Sequence, residues 1–341
     1  MSEILNGAGA EYLFDEKLVF ALRNDVLRLI LLPTEKCNFR CTYCYEDFSI
    51  GRMSSATIQG VKRLIDRRVG GLDLLHISWF GGEPLLARPV IEEISSHIVK
   101  LAAERNSLHY VGDITTNGYL LDSSAVQRLS ELGISFYQIS LDGPEFLHDR
   151  TRVRINGKGS FHQIWQNLIA IRDGRIHVNV ILRIHLTPEN LAYMPAFLAE
   201  VRDTFLHDAR FKVTIKPIEQ MGGPNDSTME VITDDERLHV IDELESVALE
   251  GGDVSRLFST PDVCYAAQAN SLMIRANGLV GKCTVALSDP RNTIGQLRPD
   301  GTLHVDNELL HPWLQGWESR DRASVQCPYA KLRQCDRCKP A

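Results

Sequence analysis

Six β-like runs separated by amphipathic stretches occupy the first two thirds of this 341-residue chain. They are VLRLILLP (26–33), LLHISWF (74–80), LHYVGDITT (108–116), ISFYQISL (134–141), VNVILRIHL (178–186) and FKVTIKPI (211–218). Repeated βα units imply a parallel sheet, because parallel neighbours need crossovers that helices supply. The intervening segment SATIQGVKRLIDRRV places Ile58, Val61, Leu64 and Ile65 on one helical face. The strands are apolar on one side only. Val178, Val180, Leu182, Ile184 and Leu186 oppose Asn179, Arg183 and His185, and Phe211, Val213 and Ile215 oppose Lys212, Thr214 and Lys216. A closed eight-stranded barrel fills its lumen with branched apolar side chains. A polar inner face fits an open, partial (β/α)6 barrel whose interior holds a ligand, or else a sheet facing solvent.

With 44% apolar residues, 24% charged residues and a net charge of −7, the chain reads as an ordinary globular protein. That charge argues against a nucleic-acid partner. No apolar run is long enough for a membrane span and no signal peptide is visible, so a cytoplasmic protein is expected. Eight cysteines in such a chain point to metal or redox chemistry. Three lie at 37–44 and five (Cys264, Cys283, Cys327, Cys335 and Cys338) near the end, which suggests two sites. The expected organisation is an N-terminal extension (1–25), a partial barrel (26–220), a linker with an acidic-starting helix at 231–250 (221–253) and a cysteine-rich domain (254–341). In that tail SLMIRANGLVGKC and GTLHVD read as short strands.

The stretch CNFRCTYCYED (37–47) carries Cys37, Cys41 and Cys44 just after the first strand. Three thiols can hold three corners of an iron–sulfur cube, form a redox pair, or share zinc with a distant histidine. After the second strand comes WFGGEPLL, with Gly81, Gly82, Glu83 and Pro84. Paired glycines let backbone approach a ligand closely. Together these segments resemble the radical S-adenosylmethionine (SAM) superfamily, over about residues 26–220. The resemblance implies a [4Fe–4S] cluster on Cys37, Cys41 and Cys44. Its fourth iron would chelate the amino and carboxylate groups of SAM, and the Gly-Gly-Glu-Pro segment would bind the methionine ammonium. Tyr43 would pack near the adenine. TTNGYLL (115–121), with Asn117, and SLDGP with HDRTR (140–144, 148–152) follow in family order. The resemblance makes Ser140 a ribose contact, Asp142 and Arg150 or Arg152 further cofactor contacts, and Arg183 a contact to the SAM carboxylate. The implied chemistry is formation of a 5′-deoxyadenosyl radical that abstracts a substrate hydrogen.

In the tail, Cys264, thirteen residues, Gly278, four residues and Cys283 resemble the start of the auxiliary-cluster domains named SPASM (two clusters) and twitch (one). The chain then departs from the seven-cysteine SPASM pattern, ending in Cys327, Cys335 and Cys338. One auxiliary [4Fe–4S] cluster on Cys264, Cys283, Cys335 and Cys338 is therefore expected, with Cys327 an alternative or spare ligand. Structural zinc is the alternative.

The motifs most resemble those of maturases acting on ribosomally synthesised and post-translationally modified peptides (RiPPs), a group that includes the sulfatase maturases. The expected function is oxidative modification of a precursor peptide, by crosslinking or side-chain oxidation, with a flavodoxin- or ferredoxin-type reductant. About 25 residues before the first strand leave no room for a winged-helix leader-binding domain, so a separate leader-binding protein is one option. A dehydrogenase or epimerase acting on a small metabolite is the alternative, and a non-catalytic iron–sulfur scaffold or electron carrier a third reading. Lys212 and Lys216 are candidate contacts to substrate carboxylate or carbonyl groups. Glu219 and Asp226 are late barrel acids without an assigned catalytic role.

Overall fold

A computed structural model describes residues 18–105, 107–248 and 263–334. Strand β1 (Val26–Leu31) leads through a loop carrying the short strand β2 (Phe39–Cys41) into α1 (Ser55–Arg68) and β3 (Leu74–Trp79). Then follow α2 (Arg88–Ala103), β4 (His109–Thr116), α3 (Ser123–Glu131) and β5 (Ile134–Leu141). Next come α4 (Glu145–Thr151), the short strand β6 (Arg152–Arg154), α5 (Phe161–Asp173), β7 (Asn179–Leu186), α6 (Met194–Phe205) and β8 (Phe211–Pro217). Every pairing in the series β1-β3-β4-β5-β7-β8 is parallel. The six expected strands are all present, in an α/β fold built on a mostly parallel sheet.

Local chemistry explains the boundaries. Ser54 caps α1 by accepting the Thr57 N–H at 3.1 Å, and Arg67 and Arg68 sit in its last turn, where they favour the carbonyl end of the helix dipole. Asp122 caps α3 through the Ala125 N–H at 2.8 Å. The two faces of each strand separate as period-2 alternation requires. Val180, Leu182 and Ile184 are fully buried in the main core with Phe197, Leu198 and Val201 of α6. Each such side chain contributes about 1.5–3 kcal/mol. Arg183 and His185 project from the opposite face and line a cavity.

The tail joins this sheet. Strand β9 (Ser271–Ile274) pairs parallel with β1. Strands β10 (Leu279–Gly281), β11 (Gly295–Leu297) and β12 (Leu303–Val305) continue antiparallel from it. The result is a ten-stranded sheet of order β12-β11-β10-β9-β1-β3-β4-β5-β7-β8. Helix α7 (Asp234–Ala248), the expected acidic-starting helix, packs against α6 and β8. Helices α8 (Asn307–Ser319), α9 (Arg322–Gln326) and α10 (Pro328–Gln334) close the tail. Gly60 of α1 lies against β11, since a Cβ there would meet the Arg298 carbonyl at 2.6 Å. The Arg275 guanidinium, just after β9, grips the buried Glu35 carboxylate through Nε at 3.1 Å and Nη2 at 2.5 Å. Such forked charge-assisted pairs fix orientation as well as distance. Here the pair ties the tail to the cysteine loop. Among the described residues no helix is long and apolar enough to cross a membrane.

Candidate functional site

The loop after β1 places three free thiols at one edge of the sheet. Strand β2 pairs antiparallel with β6, which sets Cys41 opposite Arg152. The Cys37 sulfur accepts the Phe39 N–H at 3.3 Å, and the Cys44 N–H bonds the Cys41 carbonyl at 3.1 Å. Burial pushes the Cys37 and Cys44 thiols up to about 12. Burial also raises Cys41, with Arg152 opposing it. Thiols in such surroundings become thiolates when a metal supplies the positive charge. Two further loops press on this one. A Cβ on Gly82 would meet the Lys36 carbonyl at 2.6 Å and the Glu35 carbonyl at 2.7 Å. A Cβ on Gly223 would meet the Cys44 carbonyl at 2.6 Å, and Asn225 donates to the Thr42 carbonyl at 2.7 Å.

Behind the thiols lies a buried polar network. Tyr43 donates its hydroxyl to Asp142 Oδ1 at 3.0 Å and accepts from Arg152 Nη1 at 2.7 Å. His185 Nδ1 stands 3.1 Å from the same carboxylate oxygen, and its ring packs edge-on against Tyr43. Thr151 donates to Asp142 Oδ2 at 2.6 Å. Burial opposes ionisation of Asp142, but the His185 hydrogen bond and the Arg152 charge hold its carboxyl far below the ordinary range. Burial pushes His185 down to about 4, so it stays neutral. A buried network of this kind, in which the Tyr43 hydroxyl and both Asp142 oxygens are bonded, restrains the rotamers of its members. It therefore fixes Tyr43 between Cys41 and Cys44.

A cavity of about 230 Å³ opens in front of this network. Its wall includes Cys37, Cys41, Tyr43, Cys44, Gly81, Gly82, Asn117, Ser140, Arg152 and Arg183, so the structure brings most of the expected cofactor residues together. Other expected residues lie off this wall. Arg150 lies on the outer surface, where it pairs with Glu189 at 3.0 Å, and Arg152 is the residue of the two that reaches the cavity. The Glu83 carboxylate is fully buried and is taken up by the Thr116 hydroxyl and by the N–H groups of Asn117 and Leu85. It braces the loop after β4 and lies outside the cavity lining, as does Pro84, which starts the buried turn at Pro84–Ala87. Lys212 is likewise outside the lining, whereas Lys216 is on it, paired with Glu219, which also accepts from Arg237 at 3.1 Å. Against the burial that would raise it, these cations hold the Glu219 carboxyl below its usual value. Asp226 binds the Gly222 N–H at 2.6 Å in an exposed loop. His185 and Glu46 were not among the expected site residues. Extending the alternation two residues beyond Arg183 points to His185, while nothing in the sequence singles out Glu46.

A protein-family model described as the Radical SAM superfamily matches residues 31–201, half of the chain. The chain belongs to the radical SAM superfamily. That superfamily implies a [4Fe–4S] cluster and SAM. Among sequence relatives, the GTP 3′,8-cyclase of Photorhabdus laumondii is 30% identical over 189 residues, covering 54% of this chain and 53% of that protein. The GTP 3′,8-cyclase of Klebsiella pneumoniae is 29% identical over 170 residues, covering 48% of each. The chain thus spans about half the length of the curated relatives it matches. Solved structures extend the likeness in fold. Polyhistidine-tagged anSMEcpe with bound AdoMet superposes with a TM-score of 0.63 at 18% identity, covering 89% of this chain and 85% of that one. Streptococcus suis SuiB bound to precursor peptide SuiA gives 0.61 at 16% identity, covering 89% and 69%.

The residues in the site suit the groups the superfamily implies. Cys37, Cys41 and Cys44 are free thiols on one cavity wall, the all-sulfur donor set that an iron–sulfur cluster takes. Gly81, at φ +119, and Gly82 pack directly on the backbone of residues 34–36, a fit that a Cβ would block, and both line the cavity. In the tail, Cys264, Cys283 and Cys327 lie close enough for their charges to interact, and burial pushes Cys264 up to about 11. Cys335 and Cys338 lie outside the described residues. The next residues after Cys283, Thr284 and Val285, line the cavity, whereas Cys264, Cys283 and Cys327 lie outside its lining.

Proposed function

We propose that this radical SAM protein modifies a ribosomally made precursor peptide oxidatively, leaving a crosslink or an oxidised side chain. The supporting observation is the extent of the fold likeness. SuiB with its precursor peptide matches across 89% of the chain, a share too large to omit the cysteine-rich tail, and anSMEcpe is likewise solved with a bound peptide. On this reading Cys37, Cys41 and Cys44 hold the [4Fe–4S] cluster. Gly81 and Gly82 offer backbone to the SAM amino acid, Arg183 or Arg152 its carboxylate contact, and Ser140 the ribose contact. Asn117 fixes the cysteine loop by donating to Asn38 Oδ1 at 2.8 Å. Cys264 and Cys283, with two of Cys327, Cys335 and Cys338, hold one auxiliary [4Fe–4S] cluster. When bound, these groups supply a 5′-deoxyadenosyl radical that takes a substrate hydrogen and an acceptor for the electron left behind. The chain's own part is placement and exclusion of water. Tyr43 is locked by Asp142, His185 and Arg152, while Phe80, Ile218, Met221 and Val285 give the cavity an apolar side. A flavodoxin- or ferredoxin-type protein supplies electrons, and a separate protein can present the leader.

The 30% identity to GTP 3′,8-cyclases over the barrel favours a second reading, a small-molecule substrate. Formation of 5′-deoxyadenosine separates the two when measured with GTP and with synthetic precursor peptides encoded beside the gene. Stimulation by a peptide that loses two hydrogens in mass supports the first reading. Stimulation by GTP alone overturns it.

A further inference from the structure

We propose that His76 is the base that takes a proton from the substrate during its oxidation, with Asp113 holding its tautomer. The inference deepens the oxidative reading given above and rests on it. Both residues lie on the polar face of the sheet. Period-2 alternation puts His76 and Ser78 of β3 on one face with Phe80, and Asp113 of β4 on one face with Thr115. Phe80 and Thr115 line the cavity. Asp113 therefore stands two residues, about 7 Å, down the sheet from the cavity wall. The β3–β4 register sets Ser78 beside Asp113 and His76 one pair lower. His76 Nε2 lies 2.5 Å from Asp113 Oδ2, and the Ser78 hydroxyl donates to the same oxygen at 2.7 Å. A carboxylate oxygen accepts, so Nε2 carries the hydrogen and the neutral imidazole presents Nδ1 as its lone-pair nitrogen. Among the described residues nothing hydrogen-bonds that Nδ1. The two side chains are 26% and 25% exposed, so a ligand lying along the sheet face can reach them.

The cluster continues towards the tail. Arg28 Nη2 donates to the Ser78 hydroxyl at 3.2 Å, and its guanidinium lies over the Tyr265 ring at 5.3 Å. Arg28 pairs in register with His76 on one side and with Ser271 of β9 on the other. Loss of two hydrogens from a substrate needs a destination for each part. One hydrogen atom goes to the 5′-deoxyadenosyl radical, giving 5′-deoxyadenosine. The unpaired electron left on the substrate goes to the auxiliary iron–sulfur cluster, the one-electron acceptor of the oxidative reading. A neighbouring C–H, N–H or O–H then gives its proton to His76 Nδ1, and the bonding pair stays in the product. The resulting imidazolium is stabilised by Asp113. Groups nearer the cavity suit this task less. Burial pushes His185 down to about 4. Against burial, Lys216 and Arg237 keep the Glu219 carboxyl below its usual value. Burial pushes Glu46 up to about 8, which makes it the rival acceptor on the wall.

The test uses the reduced, reconstituted protein and the encoded peptide that wild type oxidises, counting 5′-deoxyadenosine and peptide short of two hydrogens. His76→Gln should form 5′-deoxyadenosine within about twofold of wild type and oxidised peptide about a hundredfold less. In His76→Gly, added imidazole should restore the oxidised peptide and leave 5′-deoxyadenosine formation unchanged, a response that a packing defect would not give. Asp113→Asn should lose product too, because a neutral amide no longer holds the Nε2–H tautomer, and imidazole should not restore it. Nitrogen NMR of reconstituted wild type with isotope-labelled histidine should show the His76 proton on Nε2, the signal being assigned by its loss in His76→Gln. A proton on Nδ1, or product from His76→Gln within about threefold of wild type, would overturn the assignment. Loss of product in Glu46→Gln with product intact in His76→Gln would place the proton on Glu46 instead. A wild type that oxidises no peptide would remove the oxidative reading itself, and this assignment with it.

Discussion

At the scale of single residues, the two arginines of HDRTR show how sharply context decides worth. Arg150 ends α4 facing outward, and its ion pair with Glu189 leaves both side chains more than half exposed. Arg150→Ala should change stability by less than about 0.5 kcal/mol. Two residues later Arg152 sits in β6, buried against Tyr43 and Asp142. Asp142→Ala removes the anion at the centre of that network and should cost about 3–5 kcal/mol in urea unfolding of the metal-free protein. A cost under about 1 kcal/mol would mean the network is not closed in solution. His148 provides a pH test. It is buried, accepts the Asp142 N–H at Nδ1, and burial pushes it down to about 4 from an ordinary 6.5. Between those values the unfolded chain binds a proton that the folded one does not. The stability of the metal-free protein should therefore fall as pH drops from 6.5 towards 4, by up to about 3 kcal/mol from this group. In His148→Gln that slope should be shallower by up to one proton.

At the scale of elements, the cysteine loop is shaped by what touches it. Gly82→Ala places a methyl group against the Lys36 and Glu35 carbonyls, which are backbone and cannot step aside cheaply. The variant should fold, lose about 1–3 kcal/mol, and retain much less iron after anaerobic reconstitution. Full iron content would show that the loop tolerates displacement. The six main strands were legible as apolar runs between helical segments, and β7 shows the clearest alternation, with Leu182 and Ile184 buried and Arg183 and His185 on the cavity. Strands β2 and β6 were not legible. Each has three residues and owes its existence to its partner, so local pattern carries no trace of it. The role of Glu83 was hidden for the same reason: Thr116 and Asn117, which consume its carboxylate, are brought to it by the β3–β4 pairing. Arg150 and Arg152 could not be told apart until the end of α4 fixed which one turned inward.

At the scale of the whole molecule, the segments carrying the two thiol groups are joined through one sheet. The pairing of β9 with β1 joins sequence positions some 240 residues apart, and the four-residue run SLMI does not name its partner. Leu272, Ile274, Val280, Ile294 and Leu297 all belong to the main core. A chain ending at residue 250 would lose that packing and expose the β1 edge. It should be aggregated or partly unfolded by size-exclusion chromatography and circular dichroism. A monomeric, fully folded fragment would mean that the tail is an independent addition. The measurement that bears most directly on the account is release of 5′-deoxyadenosine from SAM by the reduced, reconstituted protein, compared with Cys41→Ala. Wild type should release 5′-deoxyadenosine and methionine in equal amounts, and the variant none. Equal release by both, or none from a wild type that carries its iron, would contradict the assignment of Cys37, Cys41 and Cys44 as the SAM-binding cluster site.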